Sequence, residues 1–351
     1  MTQHPDQPTA APPSLSYNAP RFPGRDSHVE SWFLRLNDPV GPRALWLKAT
    51  VLHRDDGTRS AEAWCSVFDG DRTFAMRDTV ALADADISLG DGPLTAAISG
   101  LTLLLDRDGG QTTGKMSADG VDVSWDLQLQ REPGELGEPL SLLPSDRLID
   151  APFPKNKLLT PFPVARFSGI VRWGGESGGS WDIENWIGMQ GHNWGAAHSP
   201  EYAWGQCVFT DASGEPFAMV EGASGRIELG PVTSPLLSML TVRRNGREYR
   251  FDRLVDLWRQ SPRIDFPVWS LTMSGAAGRA RLTMRGRPER MVCLGYDNPN
   301  QVRRYCLNSK TAAVSLRVDP VNEDGFECSS RYGGALEFLQ QTEHSQVQPV
   351  V

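Results

Sequence analysis

Between Gly191 and Asp211 the chain reads GHNWGAAHSPEYAWGQCVFTD, which gathers two histidines, two tryptophans, a tyrosine, a glutamine and a cysteine. Read as a strand, its second half places Tyr202, Trp204, Gln206 and Val208 on one face and Ala203, Gly205, Cys207 and Phe209 on the other, because side chains alternate along an extended chain. His192 and Trp194 share a side in the same way, so they are expected to meet Tyr202, Trp204 and Gln206 across neighbouring strands. A wall of this kind offers π faces, one titratable group and one amide. It makes His192 a candidate acid or base, and makes Tyr202 and Gln206 candidates for orienting a substrate by hydrogen bonds. Asn193, between the histidine and the tryptophan, is a further candidate contact.

The same alternation appears in SHVESWF, where His28, Glu30 and Trp32 interleave with Val29, Ser31 and Phe33. A glutamate buried beside aromatics has its pKa raised and can serve as a general acid, whereas on an exposed face it is simply solvated. In WDIENWIG, Asp182 and Glu184 are expected to share a face with Trp186, as substrate contacts or as a solvated edge. The pair also permits a carbohydrate-cleaving reading, since glycoside hydrolysis needs two carboxyl groups about 5–9.5 Å apart. No phosphate-binding loop occurs. His192 and His198 are six positions apart with no compact ligand set around them. No metal and no cofactor are therefore expected.

These side chains must be held by β-structure. HVESWFLRL, RALWLKATVLH, SAEAWCSVFD and VDVSWDLQLQ alternate at period two, as do FSGIVRWGG, GSWDIENWIGMQG, EYAWGQCVFTD and SMLTVRRNGREYRF. Turn-rich pieces such as RDDGTR, DASGE and RRNGRE separate them. Proline-rich sequence from about Arg131 to Val164 forbids a long regular element and reads as a crossing between two halves. RFDRLVDLW near Leu254 is the best short helical candidate. With 351 residues, two domains are the default. The expected division is a disordered arm over 1–24, an N-terminal β-domain over 25–150, a C-terminal β-domain over 151–340 and a flexible tail over 341–351.

The net charge of −8 argues against a nucleic-acid surface or an anionic-membrane patch. No apolar stretch approaches the roughly 20 residues that span a bilayer, and no signal-peptide plan opens the chain. The five cysteines are scattered, with no CxxC pair. A soluble protein of a reducing, cytoplasmic compartment is expected, its partner a hydrophobic small molecule, with oligomeric state left open.

The pairing of GHNWG with YAWGQCVFTDASGEPFAMVEG, after HVESWF, resembles the lipocalin-like superfamily of carotenoid 1,2-hydratase (hydroxyneurosporene synthase) and the AttH-type proteins. His192 and Trp194 match the His-x-Trp of that family's Asp-His-Glu-Trp motif, Trp204 matches an aromatic of the next strand, and TDASGEP stands at the family's hairpin. Glu30 and Trp32 match its Glu-Trp-Trp-Tyr opening. Gly191 and Asn193 stand where the family has acids. The resemblance implies an all-β fold of two tandem lipocalin-like (calycin-like) antiparallel β-barrels packed together around a hydrophobic cavity. It also implies a cofactor-independent hydratase, cyclase or isomerase acting on a polyene- or isoprenoid-like molecule. His192, Glu30 and Tyr202 would then be catalytic, and Trp32, Trp194, Trp204, Gln206, Asn193, Asp182 and Glu184 would line the substrate. The rival expectation is a lipophile carrier without catalysis.

Overall fold

The computed structural model describes residues 15–351 except 91, 153, 176, 177, 230 and 231. Alternating apolar residues bounded by turn formers fold as antiparallel strands throughout. In RRNGRE, Arg244 pairs with Arg247, leaving Asn245 (φ 53°) and Gly246 (φ 74°) as the two turn residues. Both positive φ values give the hairpin turn whose twist suits paired strands, which is why Asn-Gly stands there. The segment near Leu254 forms a single 3-10 helix, Leu254–Arg259.

The strands form two large sheets. The first runs in the order 72–81, 59–69, 43–53, 28–37, 179–195, 156–173, 121–131, 109–118, 101–105, 94–98 and 86–87. The second runs 247–251, 237–244, 216–225, 202–210, 326–340, 303–320, 278–285, 268–275 and 260–265, with 292–297 added on 303–320. Each sheet curls on itself. Strand 72–81 approaches 109–118 in the first, and Gln260 bonds Ser238 across the ends of the second. The result is two lipocalin-like antiparallel barrels in tandem, each with a filled apolar interior. Trp32, Leu34, Leu45, Leu47 and Phe162 occupy the first, and Phe209, Val220, Trp269 and Leu282 the second. A third apolar cluster, including Phe33, Trp46, Trp64, Trp204 and Tyr296, seals the two barrels together.

Three expectations are corrected here. The boundary at 150 divides one sheet: strands 156–173 and 179–195 pair with 121–131 and 28–37, so the chain changes sheets between Gly195 and Tyr202. The proline-rich crossing is followed by a return to the first barrel, because strand 28–37 needs a partner on its second edge. Secondly, the arm is anchored from Tyr17 onward, where Tyr17, Asn18 and Phe22 are buried; residues 1–14 lie outside the described part. Thirdly, the tail is docked on strand 292–297. Val350 N–H donates to the Cys293 carbonyl and Gly295 N–H to that of Val351, while Val347 is buried. No helix among the described residues is long and apolar enough to cross a membrane.

Candidate active site

Strand 28–37 lies between 43–53 and 179–195, and its two faces lead to different surroundings. Trp32, Leu34 and Leu36 point into the first barrel, whereas Phe33 faces Trp204 of the second barrel, edge to face at 6.1 Å.

On the barrel side, Trp32 is registered opposite His192 and Glu30 opposite Trp194. Glu30 is fully buried; His192 Nε2 donates to its Oε1 at 2.8 Å, and His28 Nε2 lies 3.1 Å from Oε2. The Arg21 main-chain N–H donates to both carboxylate oxygens, at 2.8 and 2.9 Å. Burial alone pushes the Glu30 carboxyl up, but the bonds from His192 and His28 outweigh it and hold the pKa below the ordinary carboxylate range. This corrects the expected raised acid: desolvation is present, yet its donors dominate. The other His192 nitrogen, Nδ1, donates to the Tyr17 carbonyl. With an acceptor beside each nitrogen, the His192 ring is stacked on Trp32 (5.0 Å) and lies beside Trp194 (4.8 Å). The cluster is closed and self-satisfied, and it pins segment 17–21 onto the barrel.

The open space lies on the opposite face, between the barrels. A cavity of about 210 Å³ has a mostly apolar wall that includes Phe33, Trp46, Leu142, Trp204 and Met239. One edge is polar. In RALWLKATVLH, residues Leu45, Leu47, Ala49 and Val51 enter the first barrel, so Trp46 and Lys48 turn toward the interface. The Lys48 ammonium has no hydrogen-bond acceptor among the described residues. It rests 3.9 Å from the Tyr296 ring centre, 5.5 Å from Trp64 and 5.8 Å from Trp46. Burial pulls its pKa down to about 8 against the opposing pull of Glu337 and Glu62.

Glu337, also on this edge, accepts from Lys310 at 2.6 Å and from Asn308 at 3.1 Å, and the Tyr202 hydroxyl donates to its Oε2 at 3.4 Å. Burial raises Glu337, but Lys310 more than offsets this and keeps it below the usual range. Burial lifts the Tyr202 phenol well above its ordinary value. His198, on the connection between the sheets, completes the edge. Its main-chain N–H and its Nδ1 meet Asn298 Oδ1 at 2.7 and 3.0 Å. Burial first, and Lys48 second, lower its pKa to about 4, so the ring is neutral. Its Nε2 is buried without a hydrogen-bond partner among the described residues.

The candidates named from sequence therefore divide. Tyr202, Trp204 and Asn193 line the interface cavity. His192, Glu30, Trp32 and Trp194 sit across the first sheet from it, because strand 179–195 is bonded on both sides within that sheet and never borders 202–210. The expected meeting of His192 with Tyr202 and Gln206 does not occur. Gln206 is buried between the barrels, accepting from Arg35 and donating to the Pro163 carbonyl at 2.8 Å. Asp182 and Glu184 are exposed, and they do not share a face with Trp186. Phe167 pairs with Trp186 and Gly169 with Ile183, so Glu184 and Asn185 (φ 54°) together oppose one residue. That bulge shifts the alternation and turns Trp186 inward. Lys48, His198 and Glu337 went unremarked as site residues, although a lysine in the middle of an otherwise apolar strand was a readable signal. Among the described residues no group of three or more His, Cys, Asp or Glu side chains is placed to hold a metal ion.

No family model matches the chain. Two uncharacterized proteins of Mycobacterium tuberculosis, from strains CDC 1551 / Oshkosh and H37Rv, are each 22% identical over 302 residues, covering 85% of this chain and 84% of theirs. Among solved structures, that of CghA with Sch210972 superposes with a TM-score of 0.57 at 9% identity, covering 90% of this chain and 89% of CghA. A Nitrosomonas europaea protein designated, provisionally, AttH superposes at 0.50 and 14% identity, covering 95% of this chain and all of that one. The fold is that of the lipocalin-like, AttH-type proteins.

Proposed function

We propose that this lipocalin-like protein of AttH-type fold is a cofactor-independent enzyme that binds a hydrophobic, polyene- or isoprenoid-like small molecule between its two barrels and cyclises or isomerises it. The observation that carries this reading is the interface cavity itself, apolar on most of its wall and bordered on one edge by Lys48, His198, Tyr202 and Glu337. Ligand sites of this composition orient an apolar body by a few placed polar groups. Holding an extended chain in a near-attack shape lowers a barrier without a strong acid. Hydration is the less supported chemistry: protonating an alkene needs a strong acid, and among the described residues the carboxylate on the cavity wall, Glu337, is ion-paired with Lys310. Five buried free thiols suit a reducing, cytoplasmic setting, and the charge of −8 suits a partner that is not a polyanion.

The test is incubation of the purified protein with a cell extract enriched in lipophilic metabolites, followed by native mass spectrometry and chromatography of what is released. A released compound absent from the extract supports catalysis. An unaltered lipophile supports a carrier instead, a reading favoured by the aromatic wall and by the salt-bridged state of Glu337. No bound compound removes both.

A further inference from the structure

We infer that His198 is the proton acceptor of the interface cavity, and that the substrate carries an enolisable carbonyl whose oxygen lies against the Lys48 ammonium. This rests on the interface cavity being the ligand site.

The tautomer of His198 is fixed by its neighbour. The Asn298 Nδ2 group donates to the Val302 carbonyl at 2.8 Å, which orients the amide so that its Oδ1 accepts both from the His198 main chain, at 2.7 Å, and from Nδ1, at 3.0 Å. Nδ1 thus holds the proton and the buried Nε2 keeps its lone pair, with no donor among the described residues to meet it. A buried polar atom left unmet is costly and calls for an explanation. Lys48 has the complementary need, a charged donor with no hydrogen-bond acceptor among the described residues, set against the π faces of Tyr296 and Trp64. Both groups lie against one ring, since the His198 imidazole stacks on Tyr296 at 5.3 Å and the Lys48 ammonium sits 3.9 Å from the same ring centre. A base oriented by a third group beside a fixed cation is the arrangement that proton abstraction next to a carbonyl requires.

In the step this geometry suits, His198 Nε2 takes the α-proton. The C–H electron pair becomes a carbon–carbon π bond, and the carbonyl π electrons move to oxygen beside Lys48. His198 then returns the same proton at the far end of the extended enolate, so a double bond moves and no proton or electron is gained or lost overall. The groups facing Lys48 are Glu62, Glu337, Cys306 and Lys310, and those facing His198 are Lys48, Glu337, Arg304 and Asn298. In this setting the base is in its active form above about pH 4 and the cation is kept below about pH 8.

The experiment uses 2-decanone as probe and 2-decanol as its non-enolisable counterpart. Tryptophan fluorescence reads binding, and proton NMR in D2O reads deuterium uptake beside the carbonyl. Wild-type protein is expected to bind both and to exchange the ketone at least 100-fold faster than buffer, on a plateau between limbs near pH 4 and pH 8. H198Q is expected to bind the ketone but exchange at the buffer rate, and K48M to lose at least 10-fold and the upper limb. Should H198Q fail to fold, the wild-type limbs decide, and a rate that merely follows hydroxide concentration overturns the inference. Binding of the ketone without exchange above buffer overturns it while leaving the cavity reading intact. If neither probe binds, the cavity reading itself fails.

Discussion

His192 Nε2 donates to Glu30 Oε1 at 2.8 Å, on the face of the first sheet that turns away from the cavity, and neither side chain has any exposed surface. A carboxylate closed in by two histidines and the Arg21 backbone N–H is a fastening for segment 17–21. Removing one partner leaves the other buried and uncompensated, at a cost of about 3–5 kcal/mol. Glu30→Gln should therefore lower the unfolding free energy by about that amount, read from urea unfolding, while the folded fraction binds a hydrophobic probe as wild type does. Because the Glu30 pKa is lowered in the fold, its contribution is present above the unfolded carboxylate pKa and is lost as pH falls through the lower folded value. The acid sensitivity of unfolding should be smaller in the variant.

Glu221 behaves in the opposite sense. It is fully buried between the sheets, accepting from Thr160 at 2.9 and 2.8 Å and from Trp204 Nε1 at 3.1 Å. Burial raises its pKa to about 7 despite these bonds. A carboxyl whose folded pKa is raised stabilises fully below the unfolded value and loses that contribution as pH climbs to the folded one. At 1.36 kcal/mol per unit, the loss amounts to a few kcal/mol. Glu221→Gln, which cannot ionise, should match wild type in urea unfolding near pH 4 and exceed it near pH 8. Equal stability at both values would contradict the raised carboxyl.

All five cysteines are buried and free. Burial pushes the Cys207 thiol up to about 12 and Cys293 to about 11, and lifts Cys65 and Cys306 as well. Since the thiolate is the reactive form, a thiol reagent such as DTNB at pH 8 should find almost none of them in the native protein and all five after unfolding. Fast native reaction of even one would show an opening absent from this fold.

Much of this was legible in the strand pattern. The alternation in EYAWGQCVFTD assigned Tyr202, Trp204 and Gln206 to one face and Ala203, Cys207 and Phe209 to the other, and the barrels keep that division. The NG hairpin was readable because two positive φ values leave few residues to choose from. Which strands meet was not readable. Strand 179–195 finds its partner about 160 positions earlier, and no local signal encodes so distant a pairing. Parity failed in WDIENWIG, where a single bulge at Glu184–Asn185 reversed it. Lys48 and His198 are each ordinary in their own segments and become chemical only when Tyr296 brings them to one edge.

The location of ligand binding can be examined by filling the space. Ala223 lines the cavity from strand 216–225, and Ala223→Phe adds a ring there without touching the Glu30–His192 cluster. Native mass spectra of wild type and Ala223→Phe after exposure to the same lipophilic extract should show a bound compound in the first and a loss of at least 10-fold in the second, with equal unfolding midpoints. Undiminished binding by a folded Ala223→Phe protein would place the ligand elsewhere and contradict a working chamber between the barrels.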